Sequence, residues 1–545
     1  MYKYRLFSSK DSDAVRELVR VTFPGFLDGT YWDWKHRNYP RFDPLLVAIA
    51  EEDGEIVGCS HWLQNSLKLG SDVVVNSLLT CDLAVRLDHR GRGIAKNLLL
   101  QRRTRETFKK RGIVVNYDFA GPRLAARLYT PLLGYLPPKL STRKYFKLLS
   151  WKKIVGFVSD VDVQRALRKE FSKVCSLNMT ISLKMRSAPQ LNLIFKSGKI
   201  EATEGAHGDS DITIEGDTHT FISLMNGGNI TRKIVKAVLE RRIKFNGKLS
   251  KLLTAYRNVG QLETVFRVIF TRDRDSVLPK ATSKYDVRTF QDGDEAKIVQ
   301  LLNKAYADYG GPARKSPEYW RWCCLERPDV ERSGLFVAVD KRKGDVVGHV
   351  VAGRSGNVWE LCYDPEQDGE EIVPMLIDKA VGYLEKAGVT SINITAPMED
   401  KTIRRTCMDY GFIHNPPPKV FLSVLDLVKL ASLLANDRKE ELTTRFDETV
   451  LVKLEDAPSW ISSTIFIKIG KNGVQVTDRP LPHSINLETD FLTFSSLLFG
   501  NLSPSKALSS AKFRVTPSGK TSTLVEILSC LQVKTKWFFP LSEFG

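Results

Sequence analysis

Cys81-Asp82-Leu83-Ala84-Val85-Arg86-Leu87-Asp88-His89-Arg90-Gly91-Arg92-Gly93-Ile94-Ala95 joins an apolar run, a turn with two glycines and two arginines, and the helical pattern Lys96 to Thr107. Strand, glycine turn and helix in this order make a phosphate cradle. Glycines let main-chain N–H groups approach an anion, the helix start adds its positive dipole end, and arginines add charge. The turn is therefore expected to hold a diphosphate. It lacks the Gly-Lys-Ser/Thr ending of a nucleotide-binding P-loop and the third glycine of a dinucleotide fold. An ordinary βα turn would explain the glycines alone, but here both flanks also suit an anion.

What the string does match is R-x-x-G-x-A, in Arg90 to Ala95. With Cys81 to His89 before it, this resembles the acyl-CoA-binding motif of the GNAT N-acetyltransferases. The resemblance implies that main-chain groups of Leu83, Ala84 and Val85 bind the pantetheine arm of acetyl-CoA. It implies that N–H groups of Gly91, Gly93, Ile94 and Ala95 bind the diphosphate, with charge from Arg90, Arg92 and Lys96.

The chain has 545 residues, enough for several domains, and its 42% hydrophobic and 26% charged content is that of a globular protein. No apolar stretch approaches the length of a membrane span, and Met1 to Leu6 has no signal-peptide core, so a cytoplasmic location is expected. Eight scattered cysteines without C-x-x-C pairs read as free thiols, not as disulfides or a metal site. Residues 1–280 hold 48 basic against 28 acidic residues, +20, while the rest hold 33 against 35, −2. A basic first half suits a polyanion, either coenzyme A or nucleic acid.

The sequence also repeats. Tyr31-Trp32-Asp33-Trp34 precedes Leu45 to Ala48 and Ile56-Val57-Gly58, as Tyr319-Trp320-Arg321-Trp322 precedes Leu335 to Ala338 and Val346-Val347-Gly348. The tryptophans could stack on a base or a choline group, but their recurrence argues for core packing. A further pattern in Leu191 to Phe195, Lys199-Ile200, Asp211 to Ile214, Thr218 to Leu224 and Arg242 to Gly247 recurs in Thr464 to Ile469, Gly473 to Val476, Ile485 to Leu487, Thr489 to Phe499 and Lys512 to Val515. Both stretches look like the sterol carrier protein type-two fold. The fold class expected is α/β and α+β, a tandem duplication of a GNAT domain followed by a sterol-carrier-like domain. Residues 1–150 would be a catalytic GNAT domain and 151–280 a carrier-like domain. Residues 281–430 would be a degenerate GNAT domain, and 431–545 a second carrier-like domain. The set is similar to the enhanced-intracellular-survival (Eis) acetyltransferases, which implies an oligomer, although those lack a clear carrier-like module between their GNAT parts.

The GNAT resemblance also names chemistry. A tyrosine in A-x-x-L-Y before Gly-Phe often protonates the leaving thiolate, and Ala125 to Tyr129 followed by Gly134-Tyr135 makes Tyr129 the general acid expected here. The gap is one residue longer than in the family and contains Pro131, which would bend a helix. The general base stays open among Asp82, Asp118 and His61, because Leu79 stands where some members carry a glutamate. Eis-type enzymes use the C-terminal carboxylate, here Gly545. In the second copy Asp364 to Glu371 replaces the cradle with acidic residues, and Cys407 stands where the tyrosine should be.

The expected reaction is direct transfer of an acetyl group from acetyl-CoA to a primary amine, on a small molecule or a protein. No Ser or Cys sits in a nucleophile setting, so no covalent intermediate is expected. Two rivals remain: a lipid or acyl-chain carrier with scaffolding GNAT parts, and a nucleic-acid-binding protein. No helix-turn-helix, zinc-finger or ribonucleoprotein motif supports the second rival, which ranks last.

Overall fold

Leu46-Val47-Ala48-Ile49-Ala50 is apolar at five consecutive positions, a run that suits a strand covered on both faces. In the computed structural model, which describes residues 2–23, 29–70, 73–119, 128–148, 178–185, 190–196, 199–205, 208, 210–216, 243–248, 250–251, 254–255, 283–312, 316–389, 391–410, 412–415, 419–509 and 513–540, this run enters the first of four sheets. Strands β1 (Lys3–Leu6), β2 (Val47–Glu52), β3 (Glu55–Lys68), β4 (Val74–Val85) and β5 (Val115–Asp118) lie side by side in that order. The first four pair antiparallel, and β4 pairs with β5 in parallel. Val47 and Ile49 face the helix Ser12–Thr22, whereas Leu46, Ala48 and Ala50 share a core with Ile94, Leu98 and Phe108 on the other side. Helices on both faces of one sheet make the α/β layers expected from the sequence.

The second sheet repeats the first with strands Tyr285–Thr289, Leu335–Asp340, Val346–Ala352, Asn357–Tyr363 and Ser391–Pro397. The two copies exchange their last strand. Phe421–Val424 pairs antiparallel with β5, and β6 (Thr142–Leu148) pairs antiparallel with Ser391–Pro397. Sheet membership thus departs from chain order at residues 142–148 and 421–424. Each parallel strand would otherwise be an open edge, and the exchange covers both edges while tying the copies together.

Two five-stranded sheets complete the fold, and they share one topology. In the first, Met179–Met185 lies at the centre, with Leu191–Lys196 and Lys199–Glu204 antiparallel on one side. Ile212–Gly216 runs parallel to it on the other side, followed by Ile243–Gly247. Glu448–Glu455, Thr464–Gly470, Gly473–Thr477, Ile485–Asp490 and Arg514–Thr516 repeat that arrangement. The sequence repeat begins one strand late in each copy, so the central strands Met179–Met185 and Glu448–Glu455 emerge only from the pairing. The expected helical segment Thr218 to Leu224 lies outside the described residues.

Seven described cysteines are free thiols, and none of the described helices is long and apolar enough to cross a membrane.

Candidate active site

Strand β4 pairs with β5 only through Ser77–Val115 to Thr80–Asp118. Beyond that point β4 continues to Val85 while β5 ends, so among the described residues the β5-facing edge of Leu83, Ala84 and Val85 has no strand against it. On the opposite edge Ala84 and Val85 pair with Cys59 and Gly58 of β3. A register shift between Cys59 and His61 leaves Asp82 as an extra residue, at φ 47°. That left-handed conformation is costly for a residue with a Cβ, so it marks a bulge held from outside.

The turn after β4 has the expected shape. Gly91 and Gly93 have φ of 80° and 79°, and a Cβ added to either would meet nothing within 4 Å. Glycine is therefore needed here for backbone conformation and not for packing. Gly93 caps helix Ile94–Leu99, and Arg90, Arg92 and Lys96 are exposed around it. Arg90 Nε donates to the Val85 carbonyl at 3.0 Å and Arg92 donates to the Tyr2 hydroxyl at 3.0 Å, which orients both side chains beside the turn. The helix expected over Lys96 to Thr107 is instead two helices, Ile94–Leu99 and Arg102–Lys110. Gln101 breaks it, because its Oε1 accepts the Thr104 N–H at 2.7 Å and caps a new N-terminus.

At the other side of the opening stand Asp118, the last residue of β5, and Tyr129. The two side chains are neighbours that act on each other's proton affinity, and both are buried. Burial, against the lowering effect of Tyr129 and the Phe119 N–H, pushes the Asp118 carboxyl up to about 7, and its Oδ2 has no partner. Burial and the neighbouring Asp118 charge hold the Tyr129 phenol well above its ordinary value, so it keeps its proton. Tyr129 also stacks on Tyr135 with ring centroids 5.0 Å apart. Pro131 falls in the first turn of Thr130–Leu133, where its missing N–H is tolerated, directly after the π-helical Leu128 and Tyr129. Residues 125–127 of the A-x-x-L-Y string lie outside the described residues.

Asp82 has a different environment. Its Oδ1 accepts from Lys35 Nζ at 3.0 Å, its Oδ2 lies 2.6 Å from His36 Nε2, and His61 Nδ1 lies 3.6 Å from Oδ2. Burial alone would raise this carboxyl, but Lys35, then His36 and His61, hold it well below the carboxylate range. Burial pushes His36 down to about 3 and lowers His61, so both imidazoles are neutral at pH 7. Trp32 covers both rings, at 4.1 and 5.0 Å between centroids. Three metal-ligating atoms do converge here within 4.8 Å, yet the positive charge paired with Asp82 is Lys35. A carboxylate so paired is a poor proton acceptor, which argues against Asp82 as the base. The sequence does not single out Lys35 and His36, although His36 lies one helical turn after Trp32 and so shares its face.

The second copy keeps the bulge and loses the cradle. Glu360 occupies the equivalent position at φ 53°. Asp368 caps its own helix, Gly369–Lys386, by accepting the Glu370 N–H at 3.0 Å, and Lys304 is shared by Asp364 and Glu366. The helix N-terminus is thus already occupied by a carboxylate, and Cys407 is fully buried in the core.

The tail enters from the junction of the two copies. Lys536–Trp537 pairs with Tyr309–Pro312, and Phe539 N donates to Thr142 Oγ1 at 3.1 Å. The Phe539 ring lies 5.7 Å from Tyr117 and 6.1 Å from Phe119, on either side of Asp118 in sequence. Gly545 lies outside the described residues.

The acetyltransferase (GNAT) domain family matches residues 3–131, the segment that holds β1 to β5, the glycine turn and Tyr129. No curated protein matches the chain by sequence. Among solved structures, a probable N-acyltransferase from Enterococcus faecalis is similar with 10% identity and TM-score 0.54, covering 99% of each chain. A GCN5-related N-acetyltransferase from Anabaena variabilis has 9% identity and TM-score 0.54, covering 99% of this chain and 100% of its own. Eis1 from Mycobacterium abscessus has 12% identity and TM-score 0.47 over 99% of each chain. The first two share the fold along the whole chain. Residues 3–131 are thus a GNAT acetyltransferase domain, whose co-substrate is acetyl-CoA, within a chain that repeats the GNAT fold.

Proposed function

We propose that the chain transfers an acetyl group directly from acetyl-CoA to a primary amine in the first GNAT unit, while the second, degenerate unit is structural. The observation that carries this reading is the buried Asp118 beside Tyr129 at the point where β4 and β5 part. Leu83 to Val85 hold the pantetheine arm along the free edge of β4. The turn from Arg90 to Lys96 holds the diphosphate through N–H groups and positive charge.

Acetyl transfer needs the ammonium deprotonated and the leaving thiolate protonated. Asp118, poised near neutral pH, takes the proton from the amine. Tyr129 gives its proton to the thiolate and is restored by Asp118, so of the two protons the ammonium loses, one ends on the thiol and the other leaves to solvent. The Gly545 carboxylate is the rival base, supported by the seat of Phe539 beside Tyr117 and Phe119. The division 1–150, 151–280, 281–430 and 431–545 remains our reading of the chain's units.

Calorimetric titration of acetyl-CoA tests the cradle. Wild type should bind at one site per chain, and a folded Arg90→Glu, Arg92→Glu variant should lose that binding. Well-folded wild type that fails to bind acetyl-CoA would overturn the reading. The two bases are separated by comparing Asp118→Asn with a chain ending at Pro540. The variant that abolishes turnover while acetyl-CoA binding persists identifies the base.

A further inference from the structure

Helix Arg102–Lys110, on the far side of the glycine turn, forms one wall of a cavity of about 460 Å³. Its other walls are helix Leu427–Asp437, the loop Trp460 to Ser462, and Val476 and Asp478 at the end of a strand in the fourth sheet. It shares no lining residue with the cradle or with the Asp118–Tyr129 pair.

The charge inside this cavity is unbalanced. Arg105 lies with its guanidinium 4.1 Å over the Trp460 ring and donates one hydrogen bond, from NH2 to the Leu99 carbonyl at 3.1 Å. Its Nε is buried without a partner, as is Trp460 Nε1. No carboxylate among the described residues pairs with Arg105, and burial pulls its pKa down to about 10. Arg105 is half-buried, and a buried guanidinium nitrogen normally has an acceptor, because leaving it without one is costly. Lys109 and Lys429 add two exposed cations to the lining, and Asp426 and Asp478 subtract two charges, which leaves one positive charge over. Asp426 is moreover engaged in capping its helix at the Lys429 N–H, 2.9 Å away. Phe108, Ile113, Leu433 and Val476 supply apolar surface beside Ser432 and Ser462.

We propose that this cavity binds a small monocarboxylate with an apolar body, its carboxylate taken by Arg105 and its body lying against Trp460 and Phe108. One surplus positive charge favours a monoanion over a phosphate, and the volume lies at the small end of ligand pockets, which run from about 300 to 1,000 Å³. Arg105 supplies the fork of donors that suits a carboxylate.

Sodium octanoate titrated calorimetrically into the full chain, with octylamine as the matched cation, tests the site. Octanoate should bind at one site and octylamine should not. Arg105→Gln should weaken octanoate at least tenfold. Ser432→Phe fills the cavity from the helix Leu427–Asp437, so it should abolish octanoate binding and leave acetyl-CoA binding unchanged. It also decides the matter if Arg105→Gln does not fold. Equal binding of octylamine, octanoate binding unaltered by Ser432→Phe, or no octanoate binding by folded wild type would each overturn the proposal.

Discussion

Trp34 and Trp322 hold each other through the same bond made twice: each indole Nε1 donates to the other's main-chain carbonyl, at 2.6 and 2.7 Å, and the rings stack 4.8 Å apart at 9°. Both belong to one-turn π-helices, Asp33–Arg37 and Arg321–Leu325, at matching places in the two GNAT copies. The duplicated aromatic pair is therefore a self-complementary contact between copies, and its reciprocal bonds give it a local pseudo-twofold symmetry. Together with the exchanged strands it ties the second copy to the first.

That contact is buried on both sides, so truncation leaves a cavity and an unsatisfied carbonyl. Trp322→Ala should lower unfolding stability by about 3–5 kcal/mol. A double-mutant cycle with Trp34→Ala, followed by guanidinium unfolding, should show strong coupling. Additive losses would mean that the two tryptophans act separately.

Asp118 links activity to pH. Its carboxyl must be ionised to accept a proton, so kcat/KM should rise as pH increases through about 7, and Asp118→Asn should lose this limb and about 10²–10⁴-fold in rate. Its folded pKa is raised above the unfolded value, so the native state holds the extra proton between the two. Stability is therefore lost as pH rises towards 7. Asp118→Asn should be more stable than wild type at pH 8, with the advantage shrinking by pH 5. Thermal unfolding across that range reads the sign directly.

Tyr129→Phe removes one hydroxyl from a stacked, buried ring and keeps its packing against Tyr135. It should reduce kcat by about 10²-fold or more and leave acetyl-CoA affinity within about twofold. A variant that turns over normally would show that the thiolate leaves without Tyr129.

Asp82→Asn should act on folding first. Loss of the carboxylate leaves Lys35 charged and buried, a change that costs about 3–5 kcal/mol. Lys35→Met placed on top of Asp82→Asn should recover part of that loss. Where the variants stay folded, the acid limb of the pH profile should persist, because its pKa belongs to Asp118. A lost limb in Asp82→Asn would return Asp82 to the role of base.

The glycine turn was legible in the sequence because its chemistry is local: Arg90 to Ala95 are adjacent, and two glycines between a strand and a helix leave few alternative conformations. The α/β class and the duplication were legible for a related reason, since apolar runs such as Leu46 to Ala50 recur with the same flanks. Periodicity places Gln101 inside a helix, but its side chain accepts the Thr104 N–H and starts a new helix, a contest that apolar periodicity does not record.

The sequence by itself determined the local grammar: the glycine turn between strand and helix, the buried strands, and the absence of that turn in the second copy. Only the tertiary structure decided which carboxylate sits where. Asp82 and Asp118 are both acids near the end of a strand, and nothing in their neighbours along the chain distinguishes them. The bulge brings Lys35 and His36 onto Asp82, while the divergence of β4 and β5 leaves Asp118 with Tyr129 and one unpartnered oxygen. A proton affinity depends on charges and burial in three dimensions, and these partners come from residues 11 to 47 positions away in the chain.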